Sequence, residues 1–168
     1  MKKLLIFLCC IFSLIGSIAQ PGKYAGSKKT LIGKEYTELA KLPALKGWQY
    51  MEGGIVNSFP LTDAEMHSVE VLKIGTTYLI IFSINEDTAQ DTYKIMDVVQ
   101  VLGVVKGWTI RTASCRRNQE NDAYIIVWGK ETTDEYMKQI KKAWRINPVK
   151  RRIEIIQVKA IDCENIGC

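Results

Sequence analysis

The chain is poor in the residues that carry chemistry. Its 168 residues include one histidine, His67, together with four prolines and five cysteines. With one imidazole, any Ser–His or Cys–His pair must use His67. No nucleophile elbow or comparable catalytic motif accompanies it. Tetrahedral zinc needs four ligands, and Cys163 and Cys168 lack a second cysteine pair, so Cys115 and His67 would have to converge on them. The acidic run Asn85-Glu86-Asp87 with Asp91 lacks the Asp-x-Asp-x-Asp-Gly order of a calcium loop; it reads as a solvated turn. Gly53-Gly54 has no phosphate-loop context and reads as a loop. No cofactor motif is present, and no nucleic-acid module or aromatic–basic interleaving. Beyond the N-terminus there is no second apolar run of membrane-spanning length.

What is present begins with a targeting segment, residues 1–19. Lys2 and Lys3 precede an apolar stretch over 4–15, and Ser17-Ile18-Ala19 places small residues at −3 and −1 of a signal-peptidase site. Cleavage after Ala19 removes Cys9 and Cys10 and leaves Cys115, Cys163 and Cys168. It also removes two lysines and no acid, so the net charge of +5 becomes +3. The remainder, 20–30 as a flexible lead-in and 31–168 as a single domain, is long enough for a real core. Export is expected, to the periplasm or beyond, with no transmembrane segment after cleavage.

The middle of the chain carries strand signal. Residues 69–74 and 77–84 are β-branched and aromatic runs separated by Gly75-Thr76, a tight hairpin signal. Leu79-Ile80-Ile81-Phe82 is continuously apolar, which suits a central strand covered on both faces. Further strands are expected over 48–51, 93–101, 108–115 and 123–128, with a long connection over 52–65 and a short helix over 35–45. Thr132-Thr133-Asp134-Glu135 forms a capping box. Tyr136, Met137, Ile140, Ala143 and Trp144 follow at helical spacing. Asn147-Pro148 then turns a hairpin into 153–156. The expected fold is α+β: an antiparallel meander of about six to eight strands, one main helix packed on one face, and a short N-terminal helix.

Positive charge concentrates late. Lys138, Lys141, Lys142, Arg145, Lys150, Arg151 and Arg152 form a basic face that can attract an anionic partner, such as an acidic protein; the ordinary meaning of such a run is a solvated surface. Asp97 lies inside the apolar run 95–99 and either points to solvent or is buried with a partner. Trp48, Trp108, Trp128 and Trp144 are core residues unless they are exposed together. Cys115 adjoins Arg116 and Arg117, which can lower a thiol pKa, but in an exported chain a disulfide is the expected fate.

The Ala-Trp entering a strand at Ala143-Trp144, the Asn147-Pro148 turn, the Ile153…Ile156 return and the Cys163-x-Asn165 tail resemble the C-terminal region of functionally uncharacterised small secreted proteins of Bacteroidetes. The likeness extends through 93–98, Cys115 and 122–126. It implies a compartment and a shared fold and carries no catalytic residues across. It places cysteines at positions 115 and 163. Of the three pairings open to the three cysteines, Cys115–Cys163 would pin the tail to the sheet and close a loop of roughly 50 residues, leaving Cys168 over. The function expected is that of an exported non-enzymatic binding protein, of inhibitor or immunity type. A small hydrolase or other enzyme using His67 or Asp97 is the alternative. A structural envelope protein is the third reading.

Overall fold

A computed structural model describes residues 27–56 and 65–165. The expected targeting segment 1–19 and its expected cleavage site, residues 20–26 of the expected lead-in, residues 57–64 of the expected long connection and Cys168 lie outside the described residues. In chain order the elements are helix α1 (Ser27–Leu31), β1 (Glu35–Tyr36), two 3-10 turns (Leu39–Lys41 and Pro43–Leu45), β2 (Gln49–Ile55), β3 (Met66–Ile74), β4 (Thr77–Asn85), β5 (Tyr93–Val101), β6 (Trp108–Thr112), β7 (Cys115–Arg117), β8 (Glu120–Asn121), β9 (Ile125–Lys130), β10 (Tyr136–Met137), β11 (Ile140–Asn147), β12 (Arg152–Ile156) and β13 (Ile161–Glu164).

The strands form three antiparallel sheets rather than one meander. The first runs β1-β5-β4-β3-β2, the second β12-β11-β9-β6 and the third β10-β13-β7-β8. The hairpin at Gly75-Thr76 is present, with Ile74 opposite Thr77 and Gly75 at φ 57°, a backbone region that glycine enters without steric cost. The Asn147-Pro148 hairpin is also present, with Asn147 opposite Arg152. The chain leaves the first sheet after Val101, and Gly103 and Gly107 both take positive φ in the connection to β6.

Alternation along β4 shows how the layers stack. Tyr78, Ile80, Phe82 and Ile84 point into a core shared with Ile110, Ile126, Trp128, Trp144, Ile146 and Ile153 of the second sheet. Leu79 and Ile81 point the other way, into a second core closed by Leu31, Leu39 and Leu45 of α1 and the 3-10 turns. The expectation of a strand covered on both faces therefore holds. The outer face of the second sheet makes a third core. There Ile125, Val127 and Ala143 meet Met137, Ile161 and the two cysteines of the third sheet.

The main helix expected after Thr132 does not exist, and the α+β class is corrected to an almost wholly β fold. Met137, Ile140 and Ala143 fall at helical spacing, but they do so across two strands and a bulge between Ile140 and Lys142. Trp144 then points to the opposite face: Ala143 packs in the third core and Trp144 in the first. The apolar set looked like one stripe because it serves two cores from a single strand. The capping box is instead a loop gripped by the tail. Thr132 Oγ1 takes the N–H of Asp134 at 3.3 Å. The buried Asn165 side chain donates to the carbonyls of Thr132 and Asp134, the latter at 3.0 Å, and its N–H reaches the Glu135 carbonyl at 2.8 Å. The short helix expected over 35–45 resolves into β1 and two 3-10 turns, because Pro43 breaks the helical run. Gly53-Gly54, read as a loop, lies inside β2 opposite Glu70 and Val69.

Candidate functional site

The outer face of the first sheet is apolar at one end and polar at the other. Leu72, Leu79, Ile81, Ile95 and Val98 are covered by α1 and the 3-10 turns. Next to them the same face presents Ser68 and Glu70 of β3 and Ser83 of β4. Ser68 is opposite Ser83, and Glu70 is opposite Ile81. Period-two alternation places Ser68, Glu70 and Leu72 on one side. Around this polar end stand Tyr36, stacked on Tyr93 with ring centroids 5.8 Å apart, and Tyr50 of the edge strand β2, 54 % exposed. Together with Leu39, Ile55 and their neighbours they line a cleft of about 410 Å³.

The chemistry of this cleft centres on Glu70. Its Oε1 accepts from Ser68 Oγ at 3.0 Å. Its Oε2 is closed off from solvent against the backbone of Gly53, and the Tyr36 hydroxyl and Ser83 Oγ nearby are likewise closed off. Burial pushes the Glu70 carboxyl above its ordinary pKa, with the Ser68 hydroxyl and then Tyr50 pulling the other way. Burial, reinforced by the Glu70 charge, pushes Tyr50 up to about 12. Tyr36 is also raised, by burial first, with Ser83 opposing and Glu70 adding to it. Tyr93 is raised by burial, then by Asp91 and Glu70. The close approach depends on Gly53: a Cβ there would lie 2.4 Å from both Glu70 Oε2 and the Val69 carbonyl oxygen. A backbone without a side chain is what lets the carboxylate lie flat on β2.

The residues singled out from sequence fall elsewhere. His67, 8 % exposed, has Nδ1 at 3.0 Å from the Tyr124 hydroxyl and Nε2 at 3.2 Å from Glu65. Glu65 in turn accepts from Arg151 Nη2 at 2.8 Å. The chain of contacts ties β3 to the second sheet. Asp97 is buried with partners: Oδ2 takes the Ile153 N–H at 2.9 Å, and Oδ1 takes the Val98 N–H at 2.8 Å and Lys28 Nζ at 2.9 Å. It bolts β5 to β12. A third bolt is Glu52, whose Oε1 accepts from the Thr112 N–H at 2.6 Å and Oε2 from Arg111 Nη1 at 2.8 Å. Burial raises the Glu52 pKa, and Arg111 and the Thr112 amide oppose it. All three groups join the first sheet to the second, and neither His67 nor Asp97 lies on the wall of the tyrosine cleft.

The basic face is only partly available. Arg145 pairs with Asp122 at 2.8 Å and Arg151 with Glu65 and Glu86. Lys150 and Arg152 share Glu154, whose carboxyl is held down at about 2 by Asn147, Arg152 and Lys150. Lys141 lies over Trp128 at 4.1 Å from the ring centroid, and Lys138, Lys141 and Lys142 are exposed. Trp128 and Trp144 are core, while Trp48 and Trp108 are partly buried against core clusters. Cys115 and Cys163 form a disulfide, with S–S 2.03 Å and Cα atoms 3.9 Å apart. Among the described residues no group of three His, Cys, Asp or Glu side chains is placed to hold a metal ion, and no helix is long and apolar enough to cross a membrane.

Sequence reasoning passed over Glu70 because Glu in a strand ordinarily faces solvent. The available signal was that Ser68, Glu70 and Ser83 alternate onto the face that also carries Leu72, Leu79 and Ile81. No family model matches the chain, and comparison with curated proteins and with solved structures finds no match either.

Proposed function

We propose that this is an exported binding protein that takes its ligand in the cleft walled by Tyr36, Tyr50, Tyr93 and Glu70. One observation carries the reading: the half-buried Glu70 carboxyl and three tyrosines, Tyr36, Tyr50 and Tyr93, converge on one cleft. The volume of about 410 Å³ falls in the range of small-ligand sites, roughly 300–1,000 Å³. The positions of His67 and Asp97, each spent on contacts between sheets, favour binding over catalysis at those residues. Export is supported by the signal-like residues 1–19, the resemblance to secreted proteins and the Cys115–Cys163 disulfide. An acidic protein partner would meet chiefly Lys138, Lys141 and Lys142, since the other four basic residues of that face are engaged by carboxylates.

The test is an amide chemical-shift map of the disulfide-bonded protein against mixtures of small neutral, anionic and cationic fragments. Shifts should gather at Tyr36, Gly53, Gly54, Glu70 and Tyr93. If no fragment of any class perturbs these amides, the cleft is not a binding site and the reading fails.

A further inference from the structure

We infer that the free edge of β2 is an interface between two copies of this chain, which pair antiparallel across it. The phase of the hydrogen bonds sets which groups face outward. The Val56 N–H goes to the His67 carbonyl at 2.9 Å, and Gly54 and Glu52 stand opposite Val69 and Val71 in the same register. Bonding alternates along an antiparallel pair. Glu52, Gly54 and Val56 therefore bond to β3, while Gly53 and Ile55 turn their N–H and C=O groups away from it. β2 ends the first sheet, and no strand lies beside those groups among the described residues.

The contrast with the other sheet edges is sharp. β1, β8 and β10 are two residues long. On β12 the outward Ile153 N–H is taken by Asp97 Oδ2 at 2.9 Å, and Arg152 and Glu154 add charge. On β6 the Thr112 N–H is taken by Glu52 Oε1 at 2.6 Å. Short strands, charges and covering groups are the means by which edges are kept from pairing. β2 has a bulge at Met51, between Tyr50 and Glu52. Beyond the bulge it has no lysine, no proline and one charge, Glu52, turned onto Arg111 at 2.8 Å. Tyr50, Met51 and Ile55 are exposed instead.

The strand is its own complement. An antiparallel pair centred on Gly54 sets Gly53 opposite Ile55 of the second copy, and Ile55 opposite its Gly53, so both outward-facing pairs exchange N–H···O bonds. Gly53 brings no side chain to crowd the isoleucine across the seam. Gly54 lies on the two-fold, with open space where a Cβ would stand, and glycine in a strand suits close approach of a second backbone. No like charges meet along the seam. A charged peptide would find no countercharge on this edge, so a neutral, apolar strand such as β2 itself fits it best.

Sedimentation of the disulfide-bonded protein over a range of concentrations, with amide exchange read at the same concentrations, is the test. A monomer–dimer equilibrium is expected. Where dimer dominates, exchange at Gly53 and Ile55 should slow by roughly tenfold, while Gly54, already bonded to β3, changes little. Ile55→Lys sets a charge on each side of the two-fold, at a side chain 53 % exposed, and should weaken the dimer by roughly 10- to 100-fold. Its amide spectrum shows that the variant is folded. A chain that stays monomeric up to about 1 mM overturns the inference. So does a dimer that folded Ile55→Lys leaves intact, or one in which Gly53 and Ile55 exchange as fast as in the monomer. A monomer whose Gly53 and Ile55 amides are protected only by an added alternating threonine–valine peptide assigns the edge to a foreign strand and overturns it as well.

Discussion

Replacing Cys115 and Cys163 together by alanine tests how the third sheet is held. The two residues sit directly opposite each other in the β7–β13 ladder and are separated by 48 positions. Constraining a loop of that length in the unfolded chain is worth about 4 kcal/mol in the chain-entropy treatment. Truncating two buried sulfurs adds about 1 kcal/mol each from lost packing. The native ladder should survive, because Ile161 still pairs with Arg117 and Arg116 still forks onto Asp162 at 2.8 and 2.9 Å. That ion pair is partly exposed and screened by solvent, so it does not substitute for the bond. Urea unfolding followed by tryptophan fluorescence and circular dichroism should give a lower midpoint and a larger m-value, since the uncrosslinked unfolded chain exposes more surface. A loss of stability under about 1 kcal/mol would refute the reasoning. A second refutation would be amide exchange that speeds up only over Ile161–Glu164 and Tyr136–Met137 while global stability is unchanged. The bond would then hold a local flap and not the whole chain.

Other expectations follow from the same structure. Trp144, 2 % exposed between the first two sheets, should cost about 3–5 kcal/mol when changed to alanine, and a thermal midpoint unchanged within a degree or two would place it outside the core. Glu70 has a raised carboxyl pKa in the folded state, so the folded protein binds that proton more readily than the unfolded one. Its contribution to stability is best in acid and is lost as pH rises from the ordinary carboxylate range through the raised value. Glu70→Gln should therefore be more stable than the parent at neutral pH, with the gap closing as the pH falls below about 4. A gap that widens on acidification would contradict the burial argument. Finally, protein recovered from its native host should have an intact mass that begins at Gln20, and a retained Met1 would undo the case for export.

The residues alone were enough for the strands and hairpins of the middle of the chain. Gly75-Thr76 and Asn147-Pro148 turn where their backbone preferences dictate, and the continuous Leu79–Phe82 run required cover on both faces. Such features are local: they depend on φ preferences and on side-chain alternation within a few residues. Cys115 and Cys163 were matched by combining resemblance with loop length, and the ladder opposes them. The segment from Thr132 to Trp144 was beyond local reasoning, because a bulged strand serving two cores has the same apolar spacing as a helix serving one. Only the placement of the third sheet over Ile125, Val127 and Ala143 decides between them. The cleft was hidden for a related reason. Ser68, Glu70, Ser83, Tyr36, Tyr50 and Tyr93 come from five strands, and nothing in any one strand marks Glu70 as half-buried. Its environment is made by register, by the absence of a Cβ at Gly53 and by the tyrosines that neighbouring strands bring beside it.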